Sequence, residues 1–150
     1  SLKAHGIGKF FILNGHGGNQ PSLDQFMLTV QRDLGVDAAC ALVWPPRDVL
    51  KERAAMPTFG HSCDLETSWS LFLSPKVVRE DRLTKGAPKD LGLRHSGTLV
   101  TVAAGFHERT ENGALGDATL ASYATGEAII APMIDAYVEF LEDFLDRSGS

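Results

Sequence analysis

Phe10–Asn19, FFILNGHGGN, is a short apolar run that stops abruptly at Asn14-Gly15-His16-Gly17-Gly18-Asn19. An apolar run bounded by glycines predicts a buried strand that ends in a tight loop. In an open α/β sheet, ligands bind at the carboxyl ends of the strands. His16 falls at such an end, flanked by glycines that permit positive φ and close approach to the backbone. At this point two readings stand: a metal ligand or catalytic base, or a turn histidine in solvent.

Outward from that loop, Pro21 suits the first turn of a helix. Leu23, Phe26, Met27, Val30 and Leu34 then recur at helical spacing, and Gly35 closes the segment. Val36–Val43, VDAACALV, predicts a second strand, ended by Trp44-Pro45-Pro46. Strand, helix and strand make a βαβ unit with parallel pairing. Trp44 thereby falls on the same rim as His16, either capping the core edge or forming an aromatic wall for a flat substrate. Asp48–Phe59 is polar and weakly periodic, a loop or short helix.

His61-Ser62-Cys63-Asp64-Leu65-Glu66-Thr67-Ser68 opens a second helix. Asp64 is the predicted N-cap, with Leu65, Trp69, Phe72 and Leu73 at helical spacing and Ser74-Pro75 as the stop. Glu66 lies in the first turn, where the helix dipole favours a carboxylate. His61 precedes the cap, so that a His and a Glu straddle one helix start. Val77–Leu93 is charged and turn-rich, a surface excursion without chemistry, and His95 and His107 sit in exposed loop contexts. Leu99–Ala103 predicts a third strand and Gly105–Gly116 a loop. Asp117 is expected to cap a last helix running to about Asp146, with Gly126 and Pro132 as points of weakness. Its stripe of Ile130, Met133, Ile134, Tyr137, Val138, Leu141, Phe144 and Leu145 is expected in the core, opposite a solvated acidic face.

The totals fit one domain over residues 1–150, with 43% apolar and 22% charged residues and a formal net charge of −5. With no basic cluster, nucleic acid is not expected as a partner. No apolar run approaches the roughly 20 residues of a membrane span, and no signal peptide is visible. Two cysteines, Cys40 and Cys63, make no disulfide framework, so a reduced cytoplasmic protein is expected. Ser1–Gly8, SLKAHGIG, reads as the last turn of a helix followed by a glycine stop.

Two motifs together resemble the signature pair of the creatininase (creatinine amidohydrolase) family: NGHGGN over residues 14–19 after an apolar strand, and HSCDLETS over 61–68. SPKVVRED over 74–81 and GDATLASYATG over 116–126 add to the resemblance, which covers nearly the whole chain. It implies a three-layer α/β/α fold with a mainly parallel sheet, lacking its N-terminal part. It also implies a metal-dependent hydrolase of cyclic amides and related C–N bonds, with a divalent ion, zinc or manganese, and two ions in a complete site. By resemblance, His16 and Glu66 are metal ligands and His61 is a candidate proton donor. Trp44, Gly17 and Gly18 line the substrate. Creatininase itself carries a tyrosine and a glutamate where this chain has Gly17 and Gly18, and relatives carry alanine and glycine in place of Ser62 and Cys63. Full-length relatives draw about half of their metal ligands from an earlier segment, so a separate N-terminal segment is an expected partner. A small-molecule substrate and a homo-oligomer, often a hexamer, complete the expectation. The alternative is a non-catalytic domain that keeps the fold to bind a small ligand.

Overall fold

The computed structural model describes residues 2–44, 60–92 and 102–147. The chain forms two compact units, Ser1–Pro45 with Ile134–Ser150, and Pro46–Met133.

The first unit is built on strands β1 (Lys9–Asn14) and β2 (Asp37–Leu42). They pair in parallel, from Lys9 opposite Asp37 to Asn14 opposite Leu42, and the Val43 N–H to Asn14 carbonyl bond (2.8 Å) extends the pairing. This is the βαβ arrangement expected from the sequence. The link differs in one respect: the expected single helix is two, α1 (Gln20–Met27) and α2 (Val30–Leu34). Thr29 leaves the helical region at φ −120°, and its hydroxyl bonds back to the Phe26 carbonyl. A threonine hydroxyl offers the backbone this local alternative to helix continuation. Gly35 ends α2 in the left-handed conformation (φ 57°, ψ 46°), where a glycine carries no Cβ penalty. The 3₁₀ turn Leu2–His5 followed by Gly6 at φ 85° matches the glycine stop read from the sequence.

The last helix, here α5, spans Tyr123–Asp146 without interruption, with Pro132 inside it. The expected breaks at Gly126 and Pro132 do not occur. Its C-terminal part runs antiparallel to the strands of the first unit. Tyr137 Oη donates to the Leu42 carbonyl (3.0 Å), and burial pushes the phenol pKa above its ordinary value. Phe11 meets the Tyr137 and Phe140 rings at 6.1 and 5.7 Å. Lys9 Nζ donates to the carbonyls of Phe144 (2.9 Å), Leu145 (2.5 Å) and Arg147 (2.6 Å), closing the helix with a cation where the dipole is negative. The α5 stripe is only partly core. Ile130, Met133 and Phe144 are buried, whereas Ile134, Val138 and Leu145 are 47–63% exposed. The acidic residues Asp135, Glu139, Glu142, Asp143 and Asp146 are exposed as expected.

In the second unit, α3 (Asp64–Leu73) ends at Ser74-Pro75 as expected, and a short helix α4 (Phe106–Arg109) stands inside the predicted loop. His107 is exposed within α4. Asp117 does not cap the last helix. It caps a 3₁₀ turn, Ala118–Leu120, accepting from the Thr119 N–H at 3.1 Å. The start of α5 is capped by Ser122, whose Oγ accepts from the Thr125 N–H (3.1 Å), the usual reach of an N-cap hydroxyl. Leu65 and Ser68 are the most completely buried residues of α3, and the Ser68 hydroxyl accepts from the Ser122 N–H at 3.0 Å. Gly126 of α5 packs against that same turn. The Asn112 side chain ties two segments of the unit together. Its Oδ1 accepts from Ala87 N–H (3.1 Å) and Ala114 N–H (3.2 Å), and its Nδ2 donates to the Lys85 carbonyl (2.9 Å). Of the expected strand Leu99–Ala103, residues 99–101 lie outside the described residues, and Val102 and Ala103 are irregular. The predicted loop Asp48–Phe59 and His95 also lie outside the described residues.

Candidate functional site

The predicted site residues fall into two sets, one in each unit. In the first unit, parallel pairing puts the ends of β1 and β2 on one rim, so His16, Gly17, Gly18 and Trp44 share it. The loop is organised by Asn14, which is 3% exposed. Its Oδ1 accepts from the His16 N–H (3.1 Å) and from Asn19 Nδ2 (3.2 Å), and its Nδ2 donates to Gln20 Oε1 (3.0 Å). An Asx side chain that bonds the backbone two residues on makes a turn by itself. An asparagine at a strand end before glycine is the sequence signal for this role.

His16 is exposed and precedes the 3₁₀ turn Gly17–Asn19. Its Nδ1 accepts from the Gly18 N–H at 3.0 Å. An accepting Nδ1 places the proton of the neutral ring on Nε2. The ring folds so closely over Gly18 that a Cβ there would lie 2.8 Å from Nδ1 and 2.9 Å from Cε1. Gly18 is therefore required by the perch of the imidazole itself. Trp44, 40% exposed, follows β2 directly.

In the second unit, His61 and Glu66 share one turn. Cys63, not Asp64, occupies the N-cap position of α3; its thiol is buried, and Asp64 becomes the first helical residue, 4% exposed. Glu66 sits at the third helical position, where Oε2 reaches back to accept the Ser62 N–H at 2.7 Å. This is the reciprocal half of a capping box, made one residue earlier than usual. Ser62 makes it possible by adopting φ 56°, the only positive φ outside glycine among the described residues. A non-glycine residue there costs on the order of 1 kcal/mol and persists only where surroundings over-determine it. The His61 carbonyl accepts from both Leu115 N–H (2.9 Å) and Gly116 N–H (3.1 Å). The His61 ring meets Phe106 edge-on, at 5.2 Å and 78°. Clamped backbone and exposed ring give an imidazole held in place and able to move a proton.

This geometry fits the comparisons with known proteins. The family model described as "Creatininase: Creatinine amidohydrolase" matches residues 1–141. The chain belongs to the creatininase family. The mycofactocin precursor peptide peptidase of Mycobacterium tuberculosis is 33% identical over 133 residues, covering 85% of this chain and 45% of that protein. The protein of the same name from Mycolicibacterium smegmatis is 31% identical over 146 residues, covering 94% and 52%. The chain thus spans about half the length of the curated relatives it matches. Among solved structures, a protein described as a creatinine amidohydrolase from Bacteroides fragilis superposes with a TM-score of 0.80 at 19% identity, covering 98% of this chain and 58% of that one. Creatininase itself gives 0.73 at 19% identity, covering 98% and 60%. A point variant of creatininase described as the Zn–Zn type gives 0.73 at 19% identity. The creatininase-like α/β fold follows from these superpositions.

An imidazole and a carboxylate, the side chains of His16 and Glu66, are of kinds that suit zinc or manganese. In number they fall short, since a catalytic zinc takes about three protein ligands. Among the described residues no group of three or more His, Cys, Asp or Glu side chains is placed to hold an ion. The His16 geometry adds a local condition. An ion at Nδ1 replaces the Gly18 N–H, and an ion at Nε2 moves the proton to Nδ1 and ends the same bond. Among the described residues no helix is long and apolar enough to cross a membrane.

Proposed function

We propose that this chain carries part of the site of a divalent-metal-dependent amidohydrolase, which opens a C–N bond of a small cyclic amide or related compound. The observation that carries this reading is the pairing of two built motifs in one creatininase-family chain: the glycine-perched His16 and the strained turn that joins His61 to Glu66. His16 and Glu66 would hold zinc or manganese, with the remaining ligands of a two-ion site supplied by residues beyond these. The ion would supply Lewis-acid activation of water. His61 would protonate the departing nitrogen, for which its clamped backbone and exposed ring suit it. Trp44 and the side-chain-free Gly17 and Gly18 would form the wall and floor against which a flat substrate lies. The unbroken family match over residues 1–141 supports one creatininase-like domain. Self-association belongs to the same reading, supported by the exposed Ile134, Val138 and Leu145 of α5.

A second reading, hydrolysis near the end of a linear peptide, is favoured by one observation. The matched peptidases are 31–33% identical to this chain, against 19% for creatininase. Creatine formation from creatinine and amine release from N-acetyl-trialanine, each measured with manganese, zinc or EDTA, test both. Slow turnover of one substrate that requires the metal is expected, and the substrate turned over decides between the readings. Turnover unaffected by EDTA contradicts both.

A further inference from the structure

The segment that follows α3 read as surface without chemistry, yet it forms one wall of a recess of 410 Å³ in the second unit. The polar residues of the α3 start, Ser62, Glu66, Thr67 and Ser70, line the same recess. Arg79 and Arg82 line it as well. Two half-buried apolar residues, Val78 and Leu83, flank the arginines in sequence and also line the recess.

The charges do not balance within this recess. Two guanidinium groups line it against one carboxylate, Glu66, whose Oε2 is already engaged by the Ser62 N–H. Among the described residues the Arg79 guanidinium makes no hydrogen bond or ion pair, and the Arg79 carbonyl accepts from the Arg82 N–H (2.9 Å). Arg82 has a long contact of 3.9 Å to Asp81 Oδ2, with both side chains more than two-thirds open to solvent, a pair of little strength. Glu80 and Asp81 lie between the two arginines in sequence, but among the described lining residues the charged groups are these two guanidinium groups and Glu66. Guanidinium presents paired N–H donors that match a carboxylate two at a time. The apolar residues beside them suit the side chain of an amino acid rather than a bare inorganic anion. The volume lies near the lower end of small-ligand pockets, about 300–1,000 Å³, and so suits a ligand of one or two residues.

We infer that this recess is a carboxylate-binding subsite, with Arg79 and Arg82 as specificity-determining residues. It would hold the free carboxylate of an amino-acid or short-peptide substrate or product beside Glu66. The inference rests on the proposed amidohydrolase reading only for the word substrate; carboxylate binding itself is independent of turnover.

The test is an NMR titration of the ¹⁵N-labelled, metal-free chain, following the Ser62 amide and the Arg79 and Arg82 Nε–H signals. The probes are N-acetyl-Ala-Ala, N-acetyl-Ala-Ala-amide and inorganic phosphate. The free acid is expected to shift all three signals and saturate at a concentration at least tenfold lower than the amide. Arg79→Gln and Arg82→Gln should each erase that preference, while Arg32→Gln in the first unit leaves it intact. Equal affinity for acid and amide, or a preference that survives the Arg79→Gln/Arg82→Gln double substitution, overturns the inference. So does tighter binding of phosphate than of the acid. Carboxylate preference without metal-dependent hydrolysis leaves the recess assigned and removes the amidohydrolase reading; hydrolysis without carboxylate preference does the reverse.

Discussion

Gly126→Ala should destabilise the second unit by about 3 kcal/mol or more, the upper range of overpacking costs. A Cβ at 126 would sit 2.0 Å from the Ser68 carbonyl oxygen, 2.7 Å from its carbon and 2.9 Å from the Phe72 Cβ. Two of these are backbone atoms of a helix whose Ser68 is fully buried and bonded to Ser122, so neither rotamer change nor local drift relieves the clash. The sign is the informative part. Helix propensity alone favours alanine over glycine by roughly 1 kcal/mol in a helix interior, and Gly126 lies inside α5. A lowered melting temperature, by about 10 °C or more, shows that close helix approach dominates. Circular dichroism melting of Gly126→Ala beside the parent decides it; an unchanged or raised midpoint refutes the packing described for this turn.

Glu66→Gln should leave the fold standing while removing function. A glutamine oxygen can still accept the Ser62 N–H, so the turn keeps its bond and stability changes by about 1 kcal/mol or less. What is lost is the charge that would hold a divalent ion. Any metal-dependent hydrolysis should then fall about a hundred- to a thousandfold, the scale on which removing one electrostatic stabiliser acts. The rise in melting temperature on adding zinc or manganese should shrink with it, since a ligand stabilises only in proportion to its binding. Retained turnover in a folded Glu66→Gln protein would assign Glu66 to the cap alone.

The two predictions draw on different depths of legibility. Features set by neighbours in the chain could be read directly: the strand that runs into NGHGGN, the proline opening α1, the glycine closing α2 and the Ser74-Pro75 stop. Those set by distant contacts could not. The α5 stripe reads as continuous core, but burial depends on what each turn meets in the fold, and Ile134, Val138 and Leu145 end up exposed. Asp117 was the better-looking cap by residue type, yet the extended Ala121 separates its 3₁₀ turn from α5, leaving Ser122 to cap the helix. The break at Leu28 and Thr29 hid inside a regular apolar pattern because one hydroxyl bond decided it. For the site, residue type and loop context pointed to His16, His61 and Glu66. Of their supports, Asn14 has a signal in the strand-end Asn-Gly pair, whereas left-handed Ser62 carries no strong local pattern and emerges only when the turn is built. Arg79 and Arg82 sit in a charged stretch that any solvated surface would show, and only their sharing of a recess with Glu66 separates them from it.

The central claim is that His16 and Glu66 hold part of a divalent metal site. Calorimetric titration of the chain with zinc and with manganese, repeated on His16→Ala, tests it most directly. The account predicts weak binding by the parent, as two ligands allow, and its loss in His16→Ala. Tight, stoichiometric binding that survives His16→Ala would contradict it.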